Sequence, residues 1–260
     1  VLPIVHAALY DFPKYYDLVF GSDWQAEYRF LLQAFERFGS RRVRRIFEPA
    51  CGTGRLLIKL AEAGYEVAGN DLNPKAVAFC NARFARRGRP PPAQVGDMAR
   101  FGVRRRFDAA FNLINSFRHL PSEQAAENHL RCMARAVHPG GIYLLGLHLT
   151  PQGRPTVTSE SWSARRGNLA VNSRLWTVSV DRRRRRELVG MTFDVYTPTR
   201  QFRIVDTTVF RTYTARQMHT LLRRVAAWDV VATYDFAYDI RRPIVVDGRT
   251  EDVVYVLRRR

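Results

Sequence analysis

Lysine is nearly absent from this chain. Only Lys14, Lys59 and Lys75 occur, so 39 of the 42 basic residues are arginine. Cysteine is scarce as well. Cys51, Cys80 and Cys132 stand far apart, in neither a metal-ligand spacing nor a disulfide framework, which argues against a disulfide-stapled scaffold and fits a reducing, cytoplasmic setting with no metal. No apolar run approaches the ~20 residues that cross a bilayer, and no signal-peptide pattern opens the sequence. A membrane partner is therefore not expected. No internal repeat is visible.

Positive charge, by contrast, is abundant. With 24 acidic residues against 42 basic ones the formal charge is +18, an excess that attracts nucleic acid or anionic surfaces. The arginines run from Arg29 to Arg260 and interrupt nearly every element. That spread fits a genome-wide preference for arginine codons better than a nucleic-acid footprint. A nucleic-acid partner is accordingly the less favoured expectation. The 260 residues, 46% of them hydrophobic, suffice for the core of one α/β domain with an insertion, or of two small domains.

The pattern along the chain is one of alternation. "DWQAEYRFLLQAFERFG" places Trp24, Tyr28, Leu31, Leu32, Phe35 and Phe38 at helical spacing with Gly39 as a stop. Strands follow at "VRRIFEPA", "YEVAGND", "PPAQVGDM", "FDAAFNLI" and "GIYLLGLHL". Helices are expected between them over residues 55–63, Pro74–Arg87 (with Pro in its first turn) and 122–137, the last stopped by "HPGG". Such a series predicts a parallel sheet with helices on both faces. Residues 160–212 then read as an antiparallel meander of successive strands, with the run Arg182–Arg186 as a solvated hairpin tip. Thr214 and Gln217 have the spacing of a capping box that opens another helix. "WDVVATYDF" and "EDVVYVLRR" close the chain as strands.

The run "FEPACGTGRLLIKL" is the most informative. A small-residue turn between a strand and a helix exposes unpaired amides at the helix start and lets a ligand approach the backbone. A dinucleotide fingerprint would continue to a third glycine, but Gly52-Thr53-Gly54-Arg55-Leu56-Leu57 has none. Glu48 ends the strand before the turn, Asp71 ends the next strand, where it can accept from two ribose hydroxyls, and Asp97 follows the third, facing the exocyclic amine of a base.

Taken in order, "FEPACGTGRL", "VAGNDLNPKAV", "VGDMARF", "FDAAFNLINSFRHL" and "HPGGIYLLGLHL" resemble the successive motifs of class I S-adenosylmethionine-dependent methyltransferases over residues 44–149, and "YYDLVF" and "EDVVYVLRR" are similar to small-molecule members. The resemblance implies an α/β, Rossmann-like seven-stranded sheet with helices on both faces plus the inserted antiparallel β meander. It implies one domain over 1–260, with residues 1–43 as a helical N-terminal cap and 150–212 as a lid or dimerisation layer. It also implies S-adenosyl-L-methionine as the cofactor. Ala50, Cys51, Gly52 and Gly54, with Glu48 before them, would form the turn under its methionine part. Asp71 would hold the ribose, Leu72 would pack on the adenine, and Asp97 with Met98 would meet its edge. Asn112 and Asn115 would lie near the sulfonium or amino group, and Tyr16 in the segment that folds over it. Ala50 stands where the family often has glycine, a mild departure that keeps the turn small.

Methyl transfer from a sulfonium has an activated electrophile and a neutral leaving group, so positioning supplies much of the catalysis. An amine acceptor must only be uncharged, whereas a hydroxyl needs a base. His119 and His148, near the carboxyl ends of the fourth and fifth strands, are the candidate bases. Each reads more readily as structural, His119 as a cap of the next helix and His148 as a hydrogen-bonded core residue. Cys51 has no nucleophile role, because the Pro-Cys pair of cytosine C5 methylases is missing, and "NLIN" is not the motif of base-amino methylases. The sequence thus points to methylation of a nitrogen or oxygen on a small molecule by a monomer or homodimer. The alternatives are an RNA methyltransferase that uses the basic surface, and a non-catalytic protein of methyltransferase fold.

Overall fold

The computed structural model describes residues 2–153 and 159–260; residues 154–158 of the expected insertion lie outside them. The N-terminal segment holds β1 (Ile4–His6), a 3-10 turn (Leu9–Asp11), α1 (Pro13–Phe20) and α2 (Gln25–Phe38). The alternating region gives β2 (Arg45–Pro49), α3 (Leu57–Glu62), β3 (Glu66–Asp71), α4 (Pro74–Ala85), β4 (Ala93–Val95), β5 (Phe107–Asn112), a 3-10 turn (Ser116–His119), α5 (Glu123–Ala136) and β6 (Val137–His148). Then come β7 (Ser159–Arg166), β8 (Leu169–Asp181), β9 (Arg186–Tyr196), β10 (Gln201–Arg211), α6 (Ala215–Val225), β11 (Trp228–Tyr234) and β12 (Asp252–Arg259).

Seven strands form one sheet in the order β11-β12-β6-β5-β2-β3-β4. The pairs from β4 to β6 are parallel, while β12 runs antiparallel to both β6 and β11. Alternate residues point to opposite faces and both faces are covered. Ile46, Ala109, Phe111, Ile142 and Leu144 pack with α2, α3 and α4, whereas Phe47, Ala110, Tyr143 and Leu145 pack with α5 and α6. Burial on both faces is why these strands read as unbroken apolar runs. The strand order reverses beside β2, so a crevice opens at the carboxyl ends of β2 and β5, the place where ligands bind in open α/β sheets. No helix among the described residues is long and apolar enough to cross a membrane.

The second sheet has the order β1-β10-β9-β8-β7. It is antiparallel from β7 to β10, but β1 joins β10 in parallel, with Ile4 opposite Arg203. The N-terminal segment is therefore not wholly helical, because its first strand edges the meander. Its inner face packs Val171, Val189, Phe193 and Ile204 with Leu9, Leu18 and Val19 of the N-terminal segment. "HPGG" does not simply stop a helix either. Val137 already leaves α5 in extended conformation, and His138–Gly141 run on inside β6. Thr214 does open α6 through a reciprocal capping box with Gln217.

Candidate active site

The turn after β2 carries three alternate residues with positive φ: Ala50 at 51°, Gly52 at 54° and Gly54 at 66°. A Cβ added at Gly52 would meet nothing within 4 Å, so that face of the turn is open. A Cβ at Gly54 would lie 2.4 Å from Cys80 Sγ; this glycine serves the packing of the turn against α4, not the approach of a ligand. Asp71 at the end of β3 fastens the turn from the side. Its Oδ2 accepts from Gly52 N at 2.8 Å and its Oδ1 from Asn73 N at 2.8 Å. Burial raises the Asp71 pKa, and these two amides pull it back down.

The N-terminal segment is stitched across the same turn. Thr53 Oγ1 donates to Asp17 Oδ1 at 2.9 Å, Arg83 pairs with Asp17 and also donates to Thr53 O at 3.0 Å. Asp11 accepts from Asn73 Nδ2 at 2.8 Å and pairs with Lys75 at 2.9 Å. These contacts hold Tyr10 and Tyr16, their rings tilted with centroids 5.4 Å apart, over the crevice. Tyr15 turns instead to Phe12 and Phe202 in the packing of the second sheet.

A cavity of about 1120 Å³ runs from this turn to the inner face of the five-stranded sheet. Ala50, Gly52 and Asp71 line its floor, and Leu72, Asp97 and Met98 line one end. Leu72 is 72% exposed, an apolar platform at that end. Asp97 Oδ1 accepts from Ala99 N at 2.7 Å. Tyr16, Asn115, His119 and His148 also line the cavity, and Asn115 Oδ1 accepts from His148 N at 2.8 Å. Among the described residues no cluster of His, Cys, Asp or Glu could hold a metal ion.

Four of the residues that the sequence singles out lie behind the turn and do not line the cavity. Glu48 is buried with Oε2 unpartnered; burial pushes its carboxyl well above the usual range, against the pull of Arg55. Asn112 is buried and donates from Nδ2 to Pro49 O at 2.8 Å, which ties β5 to β2. Cys51 is buried beside Cys80, and its hydrogen bond to that thiol, with burial, raises its pKa well above the thiol range. It remains a thiol and is no nucleophile. Gly54 is the fourth.

His119 ends the 3-10 turn after β5, its Nε2 3.0 Å from Tyr10 Oη and its ring against Phe210 at 4.8 Å. Burial, with Arg118 adjacent, lowers its pKa to about 4, and burial raises that of Tyr10. Both are neutral near pH 7, so one proton joins the phenol oxygen and Nε2, and the His119 tautomer sets which of them donates. No cap of α5 is involved, since Ser122 accepts from Ala125 N there. His148, at the end of β6, meets a partner that the sequence does not suggest: Asp252 Oδ1 lies 2.5 Å from its Nδ1. These pairs bridge 109 and 104 residues of chain, and no local pattern announces them. Of the meander residues, Trp162 and Trp176 line the cavity, whereas Arg174 is exposed and lies over the Trp176 ring.

Residues 46–141 match the family described as "Methyltransferase domain". A dTDP-3-amino-3,6-dideoxy-alpha-D-glucopyranose N,N-dimethyltransferase of Streptomyces fradiae is 30% identical over 171 residues, 58% of this chain and 64% of the relative. The chain spans less than two thirds of the length of the curated relatives it matches first. In overall fold it resembles an S-adenosylmethionine-dependent methyltransferase from Clostridium acetobutylicum (TM-score 0.77, 15% identical, 95% of this chain and 97% of that one). It also resembles CalS10, an amino pentose methyltransferase from Micromonospora echinaspora (TM-score 0.70, 17% identical, 96% and 98%). Family match and sheet order together make residues 46–141 a methyltransferase domain and give the whole chain the class I S-adenosylmethionine-dependent methyltransferase fold.

Proposed function

We propose that this chain transfers a methyl group from S-adenosylmethionine to the nitrogen of a small-molecule amine of amino-sugar type. The observation that carries the reading is the single cavity that joins the open turn at Gly52, with Asp71 and Asp97, to the neutral Tyr10–His119 pair beneath the five-stranded sheet. The donor set fits the cofactor. Asp71 has lone pairs left for ribose hydroxyls, Leu72 offers an apolar face to a base, Asp97 and Met98 stand at its edge, and Ala50 and Gly52 leave room for the methionine part. Asn115 and Tyr16 border the adjoining space. When bound, the cofactor supplies an activated methyl carbon on a sulfonium. The chain's own work is to place the acceptor nitrogen and exclude water, with residues 159–211 and the N-terminal segment as the covering layers. The substrates named for the S. fradiae relative and for CalS10 are amino sugars, which supports the choice of nitrogen.

His119 also supports an amine acceptor. A histidine held at about 4 is a weak base for a hydroxyl at neutral pH. Were it the base, His119→Ala would cut turnover by about 10²–10⁴-fold; with an amine acceptor the expected loss is severalfold. Cofactor binding is tested by calorimetry. Asp71→Ala is expected to lose charge-assisted hydrogen bonds worth about 1.5–3 kcal/mol each, roughly ten- to hundredfold in Kd per bond. Unchanged affinity would remove Asp71 from the site, and failure of the wild-type chain to bind S-adenosylmethionine would leave the non-catalytic reading standing.

A further inference from the structure

A second concavity, of about 410 Å³, lies where Arg185 of the β8–β9 turn and Arg211 at the end of β10 meet Glu123 of α5 and one face of α6. It shares no lining residue with the cavity of the candidate active site. Four guanidinium groups line it, those of Arg185, Arg211, Arg216 and Arg224, against the single carboxylate of Glu123. Val1 and residues 154–158 (RPTVT) carry no acidic side chain that could redress the balance. Glu123 is shared. Its Oε2 accepts from Arg185 Nη1 at 2.7 Å and from Arg211 Nη2 at 3.1 Å, and its Oε1 lies 3.9 Å from Arg224 Nη1. Arg224 also pairs with Glu127 at 2.8 Å, but that carboxylate serves Arg131 as well, at 3.2 Å. A carboxylate offsets one charge however many hydrogen bonds it accepts, so these five arginines and two glutamates sum to +3. Among the described residues, Nη2 of Arg185 and Nε of Arg211 are buried without a hydrogen-bond partner, so donors outnumber acceptors as well.

The inner two guanidinium groups are fixed in place. Both lie over the Tyr213 ring, Arg185 at 4.9 Å and Arg211 at 5.9 Å, and Arg185 Nε donates to Thr212 O at 3.2 Å. Their side chains are 18% and 13% exposed, and they form the floor of the corner. Arg216 and Arg224 are exposed and form its outer wall. They stand about two helical turns apart on one side of α6. Like charges held this close repel, and a half-buried corner screens them less than open water does. An anion with several oxygens relieves that repulsion. Guanidinium forks match phosphate oxygens two at a time, and the excess of charge suits a phosphate better than a carboxylate. The lining residues converge on one corner, which suits a small anion, whereas a polymer backbone needs a groove that tracks it.

We propose that this corner binds a phosphate-class anion, either inorganic phosphate or the phosphate group of a small molecule, and that the anion staples the two sheets' layers together. Arg185 and Arg211 belong to the five-stranded sheet. Arg216 and Arg224 belong to the helix layer of the seven-stranded one. An anion held by both pairs therefore bridges the two layers that enclose the active-site cavity. Binding makes and breaks no covalent bond. It stabilises the folded chain by mass action. The site lies outside the cofactor and acceptor cavity, so it stands or falls separately from the methyl-transfer reading.

Calorimetry and thermal melts of the full chain test this with inorganic phosphate, pyrophosphate and ribose 5-phosphate, each against sodium chloride of equal ionic strength. A saturating rise in Tm is expected with phosphate and none with chloride, and the arm that binds most tightly identifies the source of the group. An equal rise in chloride, or no binding in any phosphate arm, would overturn the proposal. The double variant Arg216→Gln/Arg224→Gln removes two exposed side chains. It is expected to weaken phosphate binding by roughly tenfold or more, as the loss of one charge-assisted hydrogen bond does. The control is Arg183→Gln/Arg184→Gln, which removes the same charge from the exposed hairpin tip, outside the corner. Its affinity should match wild type; equal losses in the two double variants would show diffuse attraction to a basic surface and no site. Saturating phosphate should also slow amide exchange in both the β8–β9 turn and the first turn of α6, and slowing on one side alone would refute the staple. A short fluorescent RNA is the last arm. If it binds more tightly than every small phosphate, with a steep salt dependence, and loses that binding in Arg216→Gln/Arg224→Gln, the occupant is a nucleic-acid backbone and the small-anion assignment is wrong.

Discussion

Gly52 and Gly54 share a positive φ but answer to different constraints, and the two can be separated by substitution. Alanine at either position incurs about 1–2 kcal/mol of left-handed backbone strain, a conformation that Ala50 already tolerates at 51°. At Gly52 the new methyl points into open space, so Gly52→Ala is expected to lower cofactor affinity out of proportion to its small change in Tm. At Gly54 the methyl would sit 2.4 Å from Cys80 Sγ, and overpacking typically adds about 1–3 kcal/mol. Gly54→Ala should therefore lose more in Tm than in the affinity of the protein that remains folded. Calorimetry and thermal melts on both variants decide this; the same ratio of effects in each would sink the distinction. At this scale the sequence is readable where one short segment carries the whole constraint. The spacing of Ala50, Gly52 and Gly54 announces a tight turn, and Asp71 announces a carboxylate at a strand end. It is silent on what each glycine faces, because Cys80 is supplied by another element. It is equally silent on Tyr10–His119 and His148–Asp252, whose partners meet only once the N-terminal segment and β12 have docked.

Among the elements, those with a strong local pattern are the ones that can be read in advance. α6 is marked by Thr214 and Gln217, and the doubly buried strands by apolar runs such as "IYLLGLHL". β1 is three residues long and β7 reads "SESWSARR". Neither has an alternation of its own, and each is a strand because a neighbour offers it an edge. The β8–β9 hairpin tip shows the same dependence. Arg183 and Arg184 are exposed, as a run of arginines in a turn suggests. Arg185 is not part of a solvated tip. It has φ 57°, pairs with Glu123 of α5 at 2.7 Å, donates to Thr212 O and covers the Tyr213 ring. It fastens the second sheet to the helix layer of the first. Replacing Arg183 and Arg184 with Gly and Ser should leave Tm nearly unchanged. Arg185→Ala should cost about 1–3 kcal/mol, the range for a lost charge-assisted hydrogen bond in a partly buried setting. Urea denaturation measures both, and an Arg185→Ala midpoint equal to wild type would show that the tip is not anchored.

At the scale of the whole molecule, the alternation of strands and helices was enough to imply a parallel sheet covered on both faces, because burial on both faces leaves its mark on every strand; the number of seven strands came from the family resemblance. The way the five-stranded sheet closes over the crevice is a matter of docking and leaves no such mark. Docking also buries groups that ionise freely in the unfolded chain, which makes stability depend on pH. His129 lies at 0% exposure between Met98 O and Tyr143 Oη, each 2.9 Å away, and burial holds it at about 4, as it does His119. The unfolded chain takes up those protons near ~6.5. Between the two values it binds more protons than the folded protein, so this stabilisation is complete above ~6.5 and drains away as the pH falls towards 4. Each histidine accounts for roughly 3 kcal/mol over that window. Glu48, Glu27 and Asp71, which burial pushes upward, act with the opposite sign. They favour the folded state in acid and lose their effect as the pH rises from their unfolded to their folded values, which opposes the histidine slope in that window. The clean measurement is therefore a difference. His129→Gln should be less stable than wild type at pH 7.5, because it disturbs two buried hydrogen bonds, yet lose less Tm between pH 7.5 and pH 5. Its carboxylates are those of wild type, so any flattening of the acid limb belongs to the histidine. Parallel limbs in the two proteins would mean that acid destabilises this molecule through groups other than its buried imidazoles.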